Sequence, residues 1–305
     1  MNALRIGSAL WLIGLMVRAE VIDTHVHLWD LSRPEGIYWI KEDDKVLRRS
    51  YTPADFEKLA KENGVGGVVV VQAGQSLPDN QWNLDVTAKN RSLFRGVVGN
   101  LSEVIGSDEF RPLFDKLCED PRYVGYRLSG RLREDLDEAF YRDLKLTAER
   151  GRTVDFLVGK YDLEDVKEIA TAVPELKIII DHFGNVVLDG EPLDPAWVAE
   201  FRKVAKCPNV RCKVSALYGR FQSPPAPKVL SAYREILDLA WDCFGEDRLI
   251  YGSDWPVTRR TGDYASVLDL TRSYFRDKGD GVLAKVMGSN AAGFYGVPLL
   301  GEDSK

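Results

Sequence analysis

Val21-Ile22-Asp23-Thr24-His25-Val26-His27-Leu28-Trp29-Asp30 is a short apolar-leaning run that carries two histidines two positions apart. On a β-strand alternate side chains share a face, so this spacing sets both imidazoles on one side. The chain has three histidines in all. The third, His182, also ends an apolar run, Leu176-Lys177-Ile178-Ile179-Ile180-Asp181. Alone, the pair is equally compatible with two strand histidines whose ring nitrogens are merely satisfied. The surrounding chain decides between these readings.

Leu31 to Ser50 is a long polar and aromatic loop containing Pro34, Tyr38 and Trp39. Thr52-Pro53-Ala54-Asp55 then opens a helix. Thr52 suits the N-cap, Pro53 the first helical position and Asp55 the first turn. Asn63-Gly64 is a C-terminal stop. Val65 to Gln72 is a β-branched run without alternation, the pattern of a strand covered on both faces. The same sequence of strand and helix recurs. Strands are predicted to begin near residues 21, 65, 94, 123, 152, 176, 209 and 248. Helices are predicted over 52–63, 79–91, 108–119, 135–149, 163–172, 195–204, 229–244, 264–277 and 283–294, with a Pro-rich loop over Ser223 to Pro227. Such alternation implies parallel strands with helical crossovers. Eight units close into a (β/α)8 TIM barrel, an α/β fold. The rival, an open doubly wound sheet, lacks a Gly-rich dinucleotide fingerprint after any strand. One domain is expected over residues 20–298, followed by a polar tail, 299–305.

The hydrophobic share, 45%, allows a full-sized core. The net charge of −6 argues against nucleic acid as a partner, since that demands a basic stripe. Cys118, Cys207, Cys212 and Cys243 form no CxxC pair and read as free thiols. Residues 1–19 have the anatomy of a signal peptide: Arg5, an apolar run from Ile6 to Val17, and small residues at Val17 and Ala19. They predict a periplasmic or secreted protein; a cytoplasmic protein with an uncleaved extension is the alternative. The run is too short to span a bilayer, and no later stretch is long and apolar enough, so no membrane association is expected of the mature form.

Active sites of such barrels gather at the C-terminal ends of the strands. His25 and His27 close the first strand, Gln72 the second, Asn100 the third, Arg127 the fourth, His182 the sixth, and Asp254 the eighth. Far apart in sequence, they are expected to meet at one mouth. IDTHVHLWD, VGYRLSG, IIDHFGN, KVSAL, YGSDWPV and SNAAGFYG together resemble the amidohydrolase superfamily, and specifically its second family in the branch of sugar-lactone and pyrone-dicarboxylate lactonases. The similarity spans nearly all of the chain after residue 20. The first-strand HxH is common to the superfamily, whereas its combination with DHFGN and SDWP is far more specific.

Binuclear members of the superfamily take a lysine or glutamate from strand four and a histidine from strand five. Here strand four offers Arg127, and TVDFLV of strand five has no histidine. One zinc held by His25 and His27 with Asp254 or His182 remains feasible. The resemblance implies that lactonases of this branch often need no metal, so no cofactor is strictly required.

The reaction expected is hydrolysis of a small-molecule lactone of a sugar acid. Asp254 would activate water. His25, His27 and His182 would polarise the carbonyl. Arg127 would bind a carboxylate or the carbonyl oxygen; a salt bridge at the rim is its structural alternative, as a helix N-cap or turn is for Asp254. Lys213 and Ser215 could touch substrate or pack. Trp29, with Tyr38 and Trp39, could line the mouth or pack in the loop, and Gln72 and Asn100 could form pocket walls. Arg220, Arg259 and Arg260 lie on late loops, where solvated charge is the default. A single-metal decarboxylase of an unsaturated or aromatic acid and a non-catalytic sugar-acid-binding barrel are the rival functions. A monomer or homodimer is expected.

Overall fold

A computed structural model describes residues 20–129, 136–158, 162–188, 190–221 and 224–301. The expected leader, residues 1–19, lies outside the described residues, as do residues 302–305 of the tail, the predicted helix start at residue 135 and the start of the Pro-rich loop at residue 223. The strands are β1 (Ile22–Val26), β2 (Gly67–Val71), β3 (Phe94–Asn100), β4 (Tyr123–Leu128), β5 (Thr153–Phe156), β6 (Lys177–Ile180), β7 (Val210–Val214) and β8 (Leu249–Tyr251). They form a single parallel sheet in the order of the chain. A parallel bridge from Val26 to Trp255 brings the last strand end back to the first. The expected (β/α)8 barrel is therefore what the chain forms.

Among the described residues, one helix of eight or more residues follows each strand: α1 (Pro53–Asn63), α2 (Pro78–Thr87), α3 (Phe110–Leu117), α4 (Glu138–Glu149), α5 (Leu163–Ala172), α6 (Pro195–Val204), α7 (Arg234–Phe244) and α8 (Tyr264–Lys278). Local chemistry sets their ends. Thr52 and Asp55 close a capping box on α1, and Gly64 ends it with φ of 65°. Asp162 and Asp165 do the same for α5. Predicted 229–244 is split, its first turn being the 3-10 segment Leu230–Tyr233. The last predicted helix divides into Asp280–Ala284, a π turn at Lys285–Ser289 and Asn290–Tyr295. Among the described residues, no helix is long and apolar enough to cross a membrane.

Period two divides the core. In β2, Val68 and Val70 join the large apolar layer between sheet and helices, whereas Val69 and Val71 join a smaller cluster with Ile22, Val98, Val124, Ile179 and Ile250. That smaller cluster fills the barrel interior, and Phe294, Tyr295 and Val297 of the C-terminal segment pack into it. The interior is thus apolar at the bottom, which leaves the C-terminal ends of the strands for polar chemistry.

Candidate active site

Two backbone hydrogen bonds seat the site across the seam between β8 and β1. The Asp254 N–H donates to the His25 carbonyl at 2.9 Å, and the His27 N–H donates to the Trp255 carbonyl at 2.7 Å. Gly252 lies at the same seam, where a Cβ would come within 2.7 Å of the His25 Cβ, so only glycine lets the strands approach this closely. The chain then turns sharply. Asp254 has φ of 62°, and His182 and Ala216, just past β6 and β7, both have φ of 54°. Left-handed backbone is costly for residues with a Cβ and persists where the surroundings over-determine it, commonly at functional sites.

Three imidazoles converge on one carboxylate oxygen. Oδ1 of Asp254 lies 3.3 Å from Nε2 of His27, 3.8 Å from Nε2 of His25 and 4.0 Å from Nε2 of His182. The His25 ring lies 4.8 Å from that of His27 and 4.4 Å from that of His182, between centroids. All four residues are buried. The opposite ring nitrogens are anchored. His27 Nδ1 sits 2.7 Å from the Val71 carbonyl, and His182 Nδ1 sits 2.7 Å from Ser215 Oγ. Arg127 donates through Nη2 to the Gln72 carbonyl at 2.8 Å, while its Nε has no protein partner. Both polar atoms of the buried Gln72 side chain also lack partners. The convergence expected for His25, His27, His182 and Asp254 is present.

A family model described as amidohydrolase matches residues 22–297. The chain belongs to the amidohydrolase family. This amidohydrolase is 30% identical over 284 residues to an L-fucono-1,5-lactonase of Burkholderia ambifaria, across 90% of this chain and 94% of that one. It is 26% identical over 296 residues to an L-fucono-1,5-lactonase of Burkholderia multivorans, across 91% and 96%. A solved, zinc-bound amidohydrolase from Burkholderia multivorans superposes with a TM-score of 0.81 at 25% identity, covering 92% of this chain and 100% of that one.

The donor set of the amidohydrolase fits a zinc ion. Ligand atoms of His25, His182 and Asp254 all lie within 4.8 Å of one another, and the buried His25 Nε2 has no hydrogen-bond partner. Two imidazole nitrogens and a carboxylate oxygen are ordinary zinc ligands. The tight trio takes its second imidazole from His182, just past β6, not from the His27 expected beside His25; His27 sits at the edge of the group, against Asp254. Burial, reinforced by the Lys213 ammonium, pushes the His25 imidazole well below its usual pKa. Burial and the neighbouring His25 do the same to His182. Both rings are therefore neutral at pH 7, as metal ligation or hydrogen bonding to substrate requires.

Two expected substrate contacts are corrected. Lys213 is fully buried, 2.5 Å from Asp155 Oδ2 and 2.9 Å from Asp181 Oδ1, beneath the histidines. Its place on β7 points it into the barrel, where a lone ammonium would be intolerable without carboxylates. Trp29 is packed, 1% exposed, with its ring against Trp39 and Tyr51 and its indole N–H donating to the Arg49 carbonyl. Arg259 and Arg260 are held by the Tyr51 hydroxyl and Asp44. Tyr38 is exposed, and the Trp39 indole N–H donates to the Ala73 carbonyl. Asn100 is a strand-end anchor, its carbonyl and N–H both bonded to the Asn80 side chain.

Asp155 and Asp181 join this assembly without being singled out by the sequence pattern. Arg220, for which solvated charge is the default in sequence, pairs with Asn185; burial pulls its pKa down while the Asp254 carboxylate opposes that shift. Its guanidinium thus lies within electrostatic reach of the Asp254 carboxylate.

Proposed function

We propose that this amidohydrolase opens the cyclic ester of a sugar acid, with Asp254 as the base that deprotonates the attacking water. The observation that carries this reading is the placement of one carboxylate oxygen, Asp254 Oδ1, among three imidazole nitrogens in a buried mouth. The 30% identity to an L-fucono-1,5-lactonase supports a sugar-acid lactone as the substrate class.

Asp254 takes a proton from water as the oxygen attacks the ester carbon. Negative charge then collects on the former carbonyl oxygen. His25, His27 and His182 line the position, and Arg127 supplies a fixed positive charge beside it. Gln72, with both side-chain polar atoms unpartnered, is placed to read ring hydroxyls. Collapse breaks the bond to the ring oxygen, and the proton on Asp254 passes to the departing alkoxide, giving a hydroxy acid. A zinc ion held by His25, His182 and Asp254 would supply Lewis-acid polarisation of the carbonyl when bound. Residues 1–19 we read as an export leader.

A panel of 1,4- and 1,5-lactones of sugar acids, followed with a pH indicator before and after chelator treatment, tests the reading. Hydrolysis of at least one lactone that survives chelation is expected. Inertness toward every lactone, with metal-dependent release of carbon dioxide from aromatic acids, would replace it with a decarboxylase.

A further inference from the structure

Beneath the three imidazoles lies a second, fully buried layer of charge that the hydrolytic step does not use. Asp155 of β5, Lys213 of β7 and Asp181 after β6 are each 0% exposed. The Tyr295 hydroxyl donates to Asp155 Oδ2 at 3.0 Å and closes the layer from below. Lys213 Nζ has three N–H groups. Two face Asp155 Oδ2 and Asp181 Oδ1 at 2.5 and 2.9 Å. The third is aligned on His25 Nδ1 at 3.3 Å. Asp181 Oδ1 is 3.4 Å from the same ring nitrogen.

His25 Nδ1 thus has two competing neighbours that demand opposite things of it. An ammonium has only donors, so Lys213 needs a lone pair on Nδ1 and drives the ring proton to Nε2. A carboxylate has only acceptors, so Asp181 rewards a proton on Nδ1 and leaves the lone pair on Nε2, where a metal could take it. We propose that Lys213 is a positioning residue that fixes His25 as its Nε2–H tautomer and so opposes zinc at that nitrogen.

The Nε2 proton then points into the mouth as a donor toward Asp254 or a substrate oxygen. Zinc binding at Nε2 must move that proton to Nδ1, where Asp181 accepts it as a hydrogen bond. The displaced partner is Lys213, whose N–H would then confront another N–H. No proton is released in this exchange; one ring proton changes nitrogen. The site can hold zinc, but it does so against the preference of the layer below.

The inference concerns the same site as the lactonase reading but does not depend on it, because its test reads protonation and metal binding, not turnover. With three histidines in the chain, long-range 1H–15N correlation on histidine-labelled, metal-stripped protein resolves each ring, and His27→Gln assists assignment. Zinc affinity is read by competition with a chromophoric chelator. In the unaltered protein His25 is expected as Nε2–H. The double variant Lys213→Met with Asp155→Asn removes one charge of each sign and keeps Asp181. It is expected to switch His25 to Nδ1–H and to bind zinc at least tenfold tighter. Asp181→Asn, which leaves the Lys213–Asp155 pair intact, is expected to keep Nε2–H and bind zinc more weakly. Should the double variant fail to fold, the unaltered protein and Asp181→Asn still decide. Nδ1–H in the unaltered protein, or zinc affinity that Asp181→Asn leaves unchanged, overturns the proposal.

Discussion

Asp254→Asn is the substitution on which the chemistry stands. An amide of the same shape replaces a carboxylate whose Oδ1 sits 3.3 to 4.0 Å from three imidazole nitrogens. The choice of asparagine follows from the backbone. Asp254 has φ of 62°, a region that asparagine enters more readily than other residues with a Cβ. Alanine there would add roughly 1–2 kcal/mol of strain and confuse lost chemistry with lost structure. The main-chain bond from residue 254 to the His25 carbonyl does not involve the side chain and survives. Stability should therefore change by no more than about 1 kcal/mol. A positioned general base contributes about 10²- to 10⁴-fold, or about 3–5 kcal/mol of barrier. Turnover on any lactone the unaltered enzyme opens should fall by that factor with the urea midpoint nearly unmoved. A kcat within tenfold of the unaltered enzyme, in folded protein, removes Asp254 from the base role.

Ser215→Ala deletes the hydroxyl 2.7 Å from His182 Nδ1; it should cost about 1–3 kcal/mol in urea unfolding and lower kcat by about 10- to 100-fold, whereas unchanged kcat would make His182 a packing residue. Trp29→Phe should lower stability by about 1–2 kcal/mol through the lost indole bond and contacts while leaving KM unaltered; a several-fold rise in KM would restore Trp29 to the substrate wall. Asp23 is buried, and burial pushes its carboxyl up to about 6 despite donors from Ser253, His25 and Tyr264. The folded chain thus holds that proton more tightly than the unfolded one, and this group's contribution to stability falls as pH rises from about 4 to 6. Asp23→Asn should abolish that fall, so that its stability relative to the unaltered protein improves by up to ~3 kcal/mol between pH 4 and pH 7. A pH-independent difference would refute the assignment.

The barrel was legible because its signals are local and repeated. The cap at Thr52, the stop at Gly64 and the β-branched run of β2 each follow from the residue's own chemistry. The rim was legible for a different reason: all three histidines and Asp254 fall at strand ends, and the fold carries every strand end to one mouth. Trp29 and Lys213 were not legible. Whether an aromatic residue after β1 faces substrate or packs on Tyr51 depends on the path of the Leu31–Ser50 loop, which no periodicity encodes. Lys213 reads as a pocket residue because it alternates with the outward-packed Cys212 and Val214, and that alternation is real. It points inward, but one layer too deep to meet a ligand.

That depth ties the fold to the chemistry. An inward-facing position near the middle of a barrel strand is normally apolar, as Ile179 and Ile250 are. Asp155 and Lys213 break the pattern on β5 and β7, and Tyr295 from the last helix donates to Asp155 from below. Replacing such a buried charge layer with well-packed apolar side chains is often neutral or stabilising, so stability alone does not account for it. What the layer does that an apolar one could not is present a donor to one nitrogen of His25 and so dictate what the other nitrogen offers to the mouth. The terminal SNAAGFYG segment, one of the motifs that carry the family resemblance, is therefore joined through Tyr295, Asp155 and Lys213 to the first-strand histidine at the opposite end of the chain.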